Sequence, residues 1–111
     1  HSYKTKLSKL LSKESNKGDV FFSNSGAESI EAALKIARNF GSDKNKDEII
    51  AMTSSFHGRT IGALSLGSNK QYKSNIGPVP GKVKFCQFND SKNLTKLINK
   101  KTLAITLTYL Q

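Results

Sequence analysis

Apolar residues recur along the chain with alternating helical and extended spacing. The helical spacing predicts four helices, over 3–15, 27–40, 59–66 and 91–99. Short runs rich in β-branched and aromatic residues predict strands between them, over 19–23, 48–53, 82–88 and 102–108. Helices and strands therefore alternate, and this order is typical of an α/β fold with a mainly parallel sheet and flanking helices.

Glycine, proline and asparagine mark the places where the predicted elements stop. Gly41 is expected to close the second helix, and Asn89-Asp90 is expected to cap the last one. Residues 67–81 form a long loop that contains Pro78 and Pro80. A loop of that length in a compact domain often has a functional or partner-contacting role.

Three small residues, Ser25, Gly26 and Ala27, lie between the first predicted strand and the helix that follows it. The first N–H groups of a helix lack partners within the helix, so they can bind an anion such as phosphate. Gly26 leaves the backbone accessible, and the Ser25 hydroxyl could cap the helix or donate to the anion. An ordinary helix cap is the commoner explanation of the same residues. The pattern is neither a dinucleotide-binding nor a Walker A motif.

A second cluster, Phe56-His57-Gly58-Arg59, follows the strand predicted over 48–53. We expect it at the same edge of the sheet as the first cluster, because loops after parallel strands meet there. Phe56 could stack on a planar cofactor, and Arg59 could bind a carboxylate through two N–H donors. A core phenylalanine and a solvated arginine remain the simpler alternatives. His57 could act as an acid or base, although a hydrogen-bonded structural histidine is the commoner use.

Composition and charge narrow the possible functions. The net charge of +10 suggests nucleic-acid binding, but the lysines are scattered over every segment and only Arg38 and Arg59 are arginines. No apolar run approaches the length that crosses a bilayer. The single cysteine, Cys86, excludes an internal disulfide and is expected to be a small core or half-buried residue. Two histidines so far apart in sequence give no metal-site spacing, so we expect no metal.

The two clusters and their spacing resemble the class III, ornithine-type aminotransferases, which use pyridoxal 5'-phosphate. The resemblance rests on residues 22–28, 31–38 and 56–65, and it extends from about Gly18 onward. Tyr72, residues 78–81 and Asn89-Asp90 also follow the order of that family. Within the family, the motifs are most similar to those of enzymes that act on N-acetylornithine.

The resemblance implies a fold type I large domain, usually in a homodimer with active sites at the interface. It implies that Gly26 and Ala27 hold the cofactor phosphate with help from Ser25, that Phe56 stacks on the pyridine ring, and that Arg59 binds the substrate α-carboxylate. The implied reaction transfers an amino group from N-acetylornithine to 2-oxoglutarate in arginine biosynthesis. Ornithine, 4-aminobutyrate or a carrier-linked lysine remain alternative donors. A cytoplasmic location is expected, or an organellar matrix if the organism is eukaryotic.

The sequence also departs from the family pattern. The Schiff-base lysine and the acidic partner of the pyridine nitrogen have no match in the chain, so no catalytic residue is assigned. We therefore expect residues 1–111 to be part of the large domain, with the remainder of the enzyme missing, and to be inactive alone. Thr108-Tyr109 stands where the family typically has Glu-Pro. A non-catalytic nucleic-acid-binding module and a degenerate remnant of the enzyme remain as alternatives.

Overall fold

A parallel sheet of three strands organises the chain in a computed structural model that describes residues 2–108. The helices are α1 (Ser2–Glu14), α2 (Gly26–Gly41), α3 (Ile61–Ser65) and α4 (Ser91–Leu97), with a 3₁₀ helix over Lys70–Lys73. The strands are β1 (Glu48–Met52), β2 (Lys82–Cys86) and β3 (Thr102–Thr106). The alternation of helix and strand predicted from the sequence is confirmed from α2 onward.

Strand β1 lies at the centre of the sheet, in the order β2-β1-β3, and pairs in parallel with both neighbours. Ile49 is aligned with Val83 of β2, and Ile50 with Ile105 of β3. The apolar part of β1 is buried throughout. An unbroken apolar run suits this central position because helices cover both faces of the strand.

Alternate side chains of β1 build two cores, one on each face of the sheet. Ile49 and Ala51 pack with Leu66 beneath α2, whose Ile30 and Leu34 cover them. On the opposite face, Ile50 and Met52 pack with Cys86 against α4, which contributes Leu94 and Leu97. The helices therefore flank the sheet on both sides, and the expected core position of Cys86 is confirmed.

The prediction of a strand over residues 19–23 is wrong. Residues 18–23 are not part of any strand, and Phe21 is 75% exposed. High β-propensity forms a strand only when a neighbouring strand satisfies its backbone, and no described strand lies beside this segment. The sheet accordingly has three strands among residues 2–108 instead of four.

Several predicted elements are shorter in the structure. The helix expected over 59–66 covers Ile61–Ser65, and the last helix ends at Leu97. Helix α1 forms as predicted, but the described residues bury none of its side chains, including the apolar stripe of Leu7, Leu10 and Leu11. Within residues 2–108, no helix is both long and apolar enough to span a membrane. Of the unusual pair Thr108-Tyr109, Tyr109 lies outside the described residues.

Gly41 ends α2 as predicted, and its lack of a side chain lets the helix approach the sheet. An added Cβ would lie 2.5 Å from Leu103 Cδ1 and 2.6 Å from the backbone oxygen of Lys46. Gly26, at the other end of α2, has no such atom within 4 Å. The two glycines of one helix are therefore under opposite steric constraints.

We expect Gly41→Ala to lower the free energy of unfolding by about 1–3 kcal/mol, because the Lys46 backbone must move. Gly26→Ala should be neutral, or stabilising by up to about 1 kcal/mol, since alanine favours the helix and meets no neighbour. Chemical denaturation of the full-length apoprotein carrying each variant measures both effects without a contribution from bound ligand. Equal destabilisation by the two substitutions would contradict the packing described for Gly41.

Candidate functional site

The N-terminus of α2 is capped by its own first turn. Ser25 is the N-cap residue, and its hydroxyl oxygen accepts a hydrogen bond of 3.2 Å from the N–H of Glu28. The Glu28 carboxylate reaches back and accepts from the N–H of Asn24 at 2.8 Å. This is a variant of the capping box, and the sequence pattern Ser25-x-x-Glu28 would have identified it. The cap leaves the Ser25 hydroxyl proton free to donate to a ligand.

Gly26 and Ala27 present unused donors at the same helix end. In the described range 2–108, no protein acceptor bonds the N–H of either residue. A Cβ at Gly26 would meet no atom within 4 Å, so neither packing nor a positive φ explains the glycine there. Open space above free N–H groups, together with the positive end of the helix dipole, suits an anionic group.

The loop after β1 carries the second predicted cluster. Phe56 is 54% exposed, so the expectation of a core aromatic does not hold for this residue among the described neighbours. Arg59 is also exposed, and none of the ion pairs formed within residues 2–108 includes it. An exposed ring face and an uncompensated guanidinium are both available to a ligand.

The two predicted clusters contact each other through Gly58 and Ala27. Gly58 has φ of +132°, a conformation that favours glycine. A Cβ added at Gly58 would lie only 2.7 Å from the Cβ of Ala27 and 3.2 Å from its Cα. The expectation that the two clusters lie together is therefore confirmed, although only the second cluster follows a strand of the sheet. The ligand-binding roles of Ser25, Gly26, Ala27, Phe56 and Arg59 stay predictions.

A carboxylate of α2 also holds the start of α3 in place. Glu31 Oε2 accepts from the Thr60 hydroxyl at 2.5 Å and from the Ala63 N–H at 2.9 Å. A side chain at Gly62 would overlap this carboxylate. The Thr60 hydrogen bond lowers the pKa of Glu31; partial burial opposes this, and the N–H groups of Ala63 and Gly62 lower it further. Glu31 thus caps a helix of another segment and links the two clusters.

Sequence reasoning missed this role of Glu31. Its partners lie 29 and 32 residues away, so no local pattern connects them. Thr60 is the N-cap residue of α3, yet its side chain makes no capping bond to the helix. The small residue at Gly62, in the first turn of a helix, was the one available signal that another group approaches closely.

His57 is buried, with 8% of its surface exposed, and burial lowers its pKa. Its Nε2 has no hydrogen-bond partner within the described residues, so the expected hydrogen-bonded structural histidine is not found at this atom. Ser55 Oγ and Thr106 Oγ1 are likewise buried without partners in this part of the chain. All three atoms lie at the carboxyl ends of β1 and β3, where a polar ligand or another segment could satisfy them.

A groove of about 790 Å³ runs along α2 from Glu31 to Gly41 and past the starts of α3 and β2. It is lined by Leu34, Arg38 and Val83 among others, but by neither Ser25 nor Phe56. The groove is not the candidate site, because the free donors at the N-terminus of α2, the exposed ring and Arg59 are not among its lining residues.

Comparison with known proteins supports a single family. The model of class III aminotransferases matches residues 1–109. An ornithine aminotransferase of Staphylococcus saprophyticus is 44% identical, over 96% of this chain and 28% of that protein. An acetylornithine aminotransferase of Clostridium acetobutylicum is also 44% identical, over 95% of this chain and 28% of the relative. The chain therefore spans little more than a quarter of the length of these relatives.

Solved structures give the same result for the fold. Ornithine aminotransferase from Toxoplasma gondii, solved with partial occupancy of pyridoxal phosphate, superposes with a TM-score of 0.78 at 25% identity. That match covers 88% of this chain and 25% of the other. An amine transaminase from an uncultivated Pseudomonas species superposes with a TM-score of 0.75 over 91% of this chain and 29% of its own, at 19% identity.

We expect Glu31→Gln to lower the free energy of unfolding by about 1 kcal/mol at neutral pH, because a neutral amide is a weaker acceptor than a carboxylate. The pKa of Glu31 lies below its ordinary value of 4.5 in the folded protein. Its contribution is therefore complete above that value and is lost as the pH falls through the folded pKa. The difference in the free energy of unfolding between wild type and Glu31→Gln should therefore decrease as the pH is lowered.

Denaturant unfolding of the full-length protein at several pH values measures this difference. Glu14→Gln is the matched control, because Glu14 is an exposed carboxylate at the end of α1. A pH-independent difference for Glu31→Gln, or an equal effect of the control, would contradict the role given to Glu31.

Proposed function

Because the chain belongs to the class III aminotransferase family, we propose that it is the part of a pyridoxal-phosphate-dependent transaminase that holds the cofactor phosphate and the substrate carboxylate. The parallel sheet with flanking helices is that of the fold type I large domain, as predicted. The chain covers about 28% of its relatives, so the activity proposed is that of the full-length enzyme.

The contact between Gly58 and Ala27 is the observation that supports this proposal most directly. It places a helix end beside an exposed aromatic ring and an arginine, and residues 2–108 provide no acceptor for its first N–H groups and no ion pair for the arginine. In the proposed enzyme, Gly26 and Ala27 donate to the cofactor phosphate. The Ser25 hydroxyl adds a third donor while its oxygen keeps the helix capped.

Phe56 and Arg59 take the other two roles in the proposed site. Phe56 stacks on the pyridine ring of the cofactor, for which its half-exposed side chain is available. Arg59 binds the α-carboxylate of the substrate through paired N–H donors. When bound, pyridoxal phosphate supplies the electron sink that allows an amino group to be exchanged, and the residues of this chain orient it.

We propose N-acetylornithine as the amino donor and 2-oxoglutarate as the acceptor. Support for the donor comes from the resemblance of the motifs and from a 44%-identical relative called acetylornithine aminotransferase. An equally identical relative is called ornithine aminotransferase, so ornithine is the second candidate. Arg59 favours a donor with an α-carboxylate over 4-aminobutyrate. The homodimer and the cytoplasmic location stay predictions.

We expect Gly26→Val to weaken pyridoxal-phosphate binding by about tenfold or more, equivalent to about 1.4 kcal/mol. The new side chain enters space that no described protein atom occupies, so the loss would come from the ligand. Equilibrium binding of the cofactor to the full-length apoprotein measures the change. Ala33→Val, at an exposed position of the same helix, is the control. Unchanged affinity for Gly26→Val would contradict the phosphate site.

In the full-length enzyme, we expect kcat/KM for N-acetylornithine to exceed that for ornithine or 4-aminobutyrate by about tenfold or more, a difference of about 1.4 kcal/mol in transition-state stabilisation. Steady-state assays with 2-oxoglutarate as acceptor measure this preference. Residues 1–111 alone should give no turnover, because no lysine of the chain matches the one that carries the cofactor. A higher kcat/KM for ornithine would contradict N-acetylornithine as the donor and support ornithine instead.

A further inference from the structure

Tyr72 contacts both of the exposed side chains to which the proposed function gives a role. Its ring meets that of Phe56 edge to face, with the centroids 6.1 Å apart and the planes at 66°. The guanidinium carbon of Arg59 lies 5.4 Å from the centroid of the same ring. Both distances are within the range of favourable aromatic and cation–π interactions.

The 3₁₀ helix that carries Tyr72 is fixed by its own side chains. The Asn69 side-chain oxygen accepts from the N–H of Gln71 at 3.0 Å, which caps the first turn. The Ser74 hydroxyl donates to the carbonyl of Gln71 at 2.9 Å at the other end. Tyr72 therefore projects from a locally ordered turn inside a long loop, and its backbone does not depend on Arg59 or Phe56.

An aromatic partner suits Arg59 better than a carboxylate would. An exposed arginine side chain has many rotamers, and fixing them on ligand binding is entropically unfavourable. A ring that packs against the guanidinium face reduces this freedom before the ligand arrives. It also leaves the N–H donors at the guanidinium edge unused, whereas an aspartate or glutamate would occupy them and neutralise the charge.

Resting on the proposed function, we propose that Tyr72 is a positioning residue that holds the Arg59 guanidinium in the orientation that receives the substrate carboxylate. The edge-to-face contact between the two rings also limits the movement of Phe56. Tyr72 itself is 45% exposed, so its removal opens no core cavity. Substitution of Tyr72 should therefore weaken carboxylate binding and leave the stability of the fold unchanged.

The test compares Tyr72→Leu and Tyr72→Phe in the full-length holoenzyme. Tyr72→Leu should raise KM for both the amino donor and 2-oxoglutarate by about 3- to 10-fold while kcat changes by less than about twofold. Tyr72→Phe retains the ring face and should remain close to wild type. Phe88→Leu, which removes a ring of 46% exposure after β2, should change neither parameter.

A binding measurement independent of turnover accompanies the kinetics. Glutarate, a dicarboxylate that carries no reactive carbonyl, is titrated into each variant by calorimetry. Its Kd should rise by about 3- to 10-fold in Tyr72→Leu and stay unchanged in Tyr72→Phe. Unfolding midpoints and bound cofactor are measured in parallel. If Tyr72→Leu does not fold, Tyr72→Met removes the ring with an unbranched side chain and should give the same result.

A double-mutant cycle with Arg59→Lys separates this inference from the function on which it rests. If Tyr72 acts through Arg59, then Tyr72→Leu should add little in the Arg59→Lys background. An equal loss in both backgrounds, or an unchanged KM in Tyr72→Leu alone, would overturn the role of Tyr72. If Arg59→Lys alone leaves KM and glutarate binding unchanged, Arg59 does not bind the substrate carboxylate, and that part of the proposed function is wrong. The role of Tyr72, which depends on Arg59, is then wrong as well.

Discussion

The close approach of Gly58 to Ala27 is the constraint on which the candidate site depends. The first turn of α2 and the loop after β1 come from segments some thirty residues apart, and they touch only because Gly58 has no side chain. Its φ of +132° then turns the loop between Phe56 and Arg59. A single glycine thus brings a helix end with free N–H groups beside an aromatic ring and an arginine.

The Glu31 carboxylate maintains this arrangement from the other side. One side chain of α2 satisfies the Thr60 hydroxyl and an N–H group at the start of α3. Such charge-assisted hydrogen bonds are stronger than neutral ones and fix distance and direction. Helix α2 therefore contributes its N-terminus to the site and also holds the segment that immediately follows Arg59. Steric closeness at Gly58 and hydrogen bonding at Glu31 constrain the same pair of segments independently.

Local patterns predicted the elements of the site, but not the contacts that join them. Ser25 as a cap and the helix after it follow from neighbouring residues, and the apolar run of β1 predicts its central position. The interaction of Glu31 with Thr60 depends on the folded chain, so sequence spacing could not reveal it. The prediction of a strand over 19–23 is wrong for a similar reason, because β-propensity produces a strand only beside a partner strand, which the sequence alone does not identify.

The charge at the site depends on how His57 and Arg59 are placed. Burial lowers the pKa of His57, so its imidazole is neutral near pH 7 and does not repel a guanidinium two residues away. The group beside Arg59 is an aromatic ring, and no acidic side chain among residues 2–108 forms an ion pair that offsets its positive charge. The free N–H groups of α2 add a partial positive charge on the neighbouring segment. The fold therefore brings two separate positive centres close together, as the proposed phosphate and carboxylate sites require.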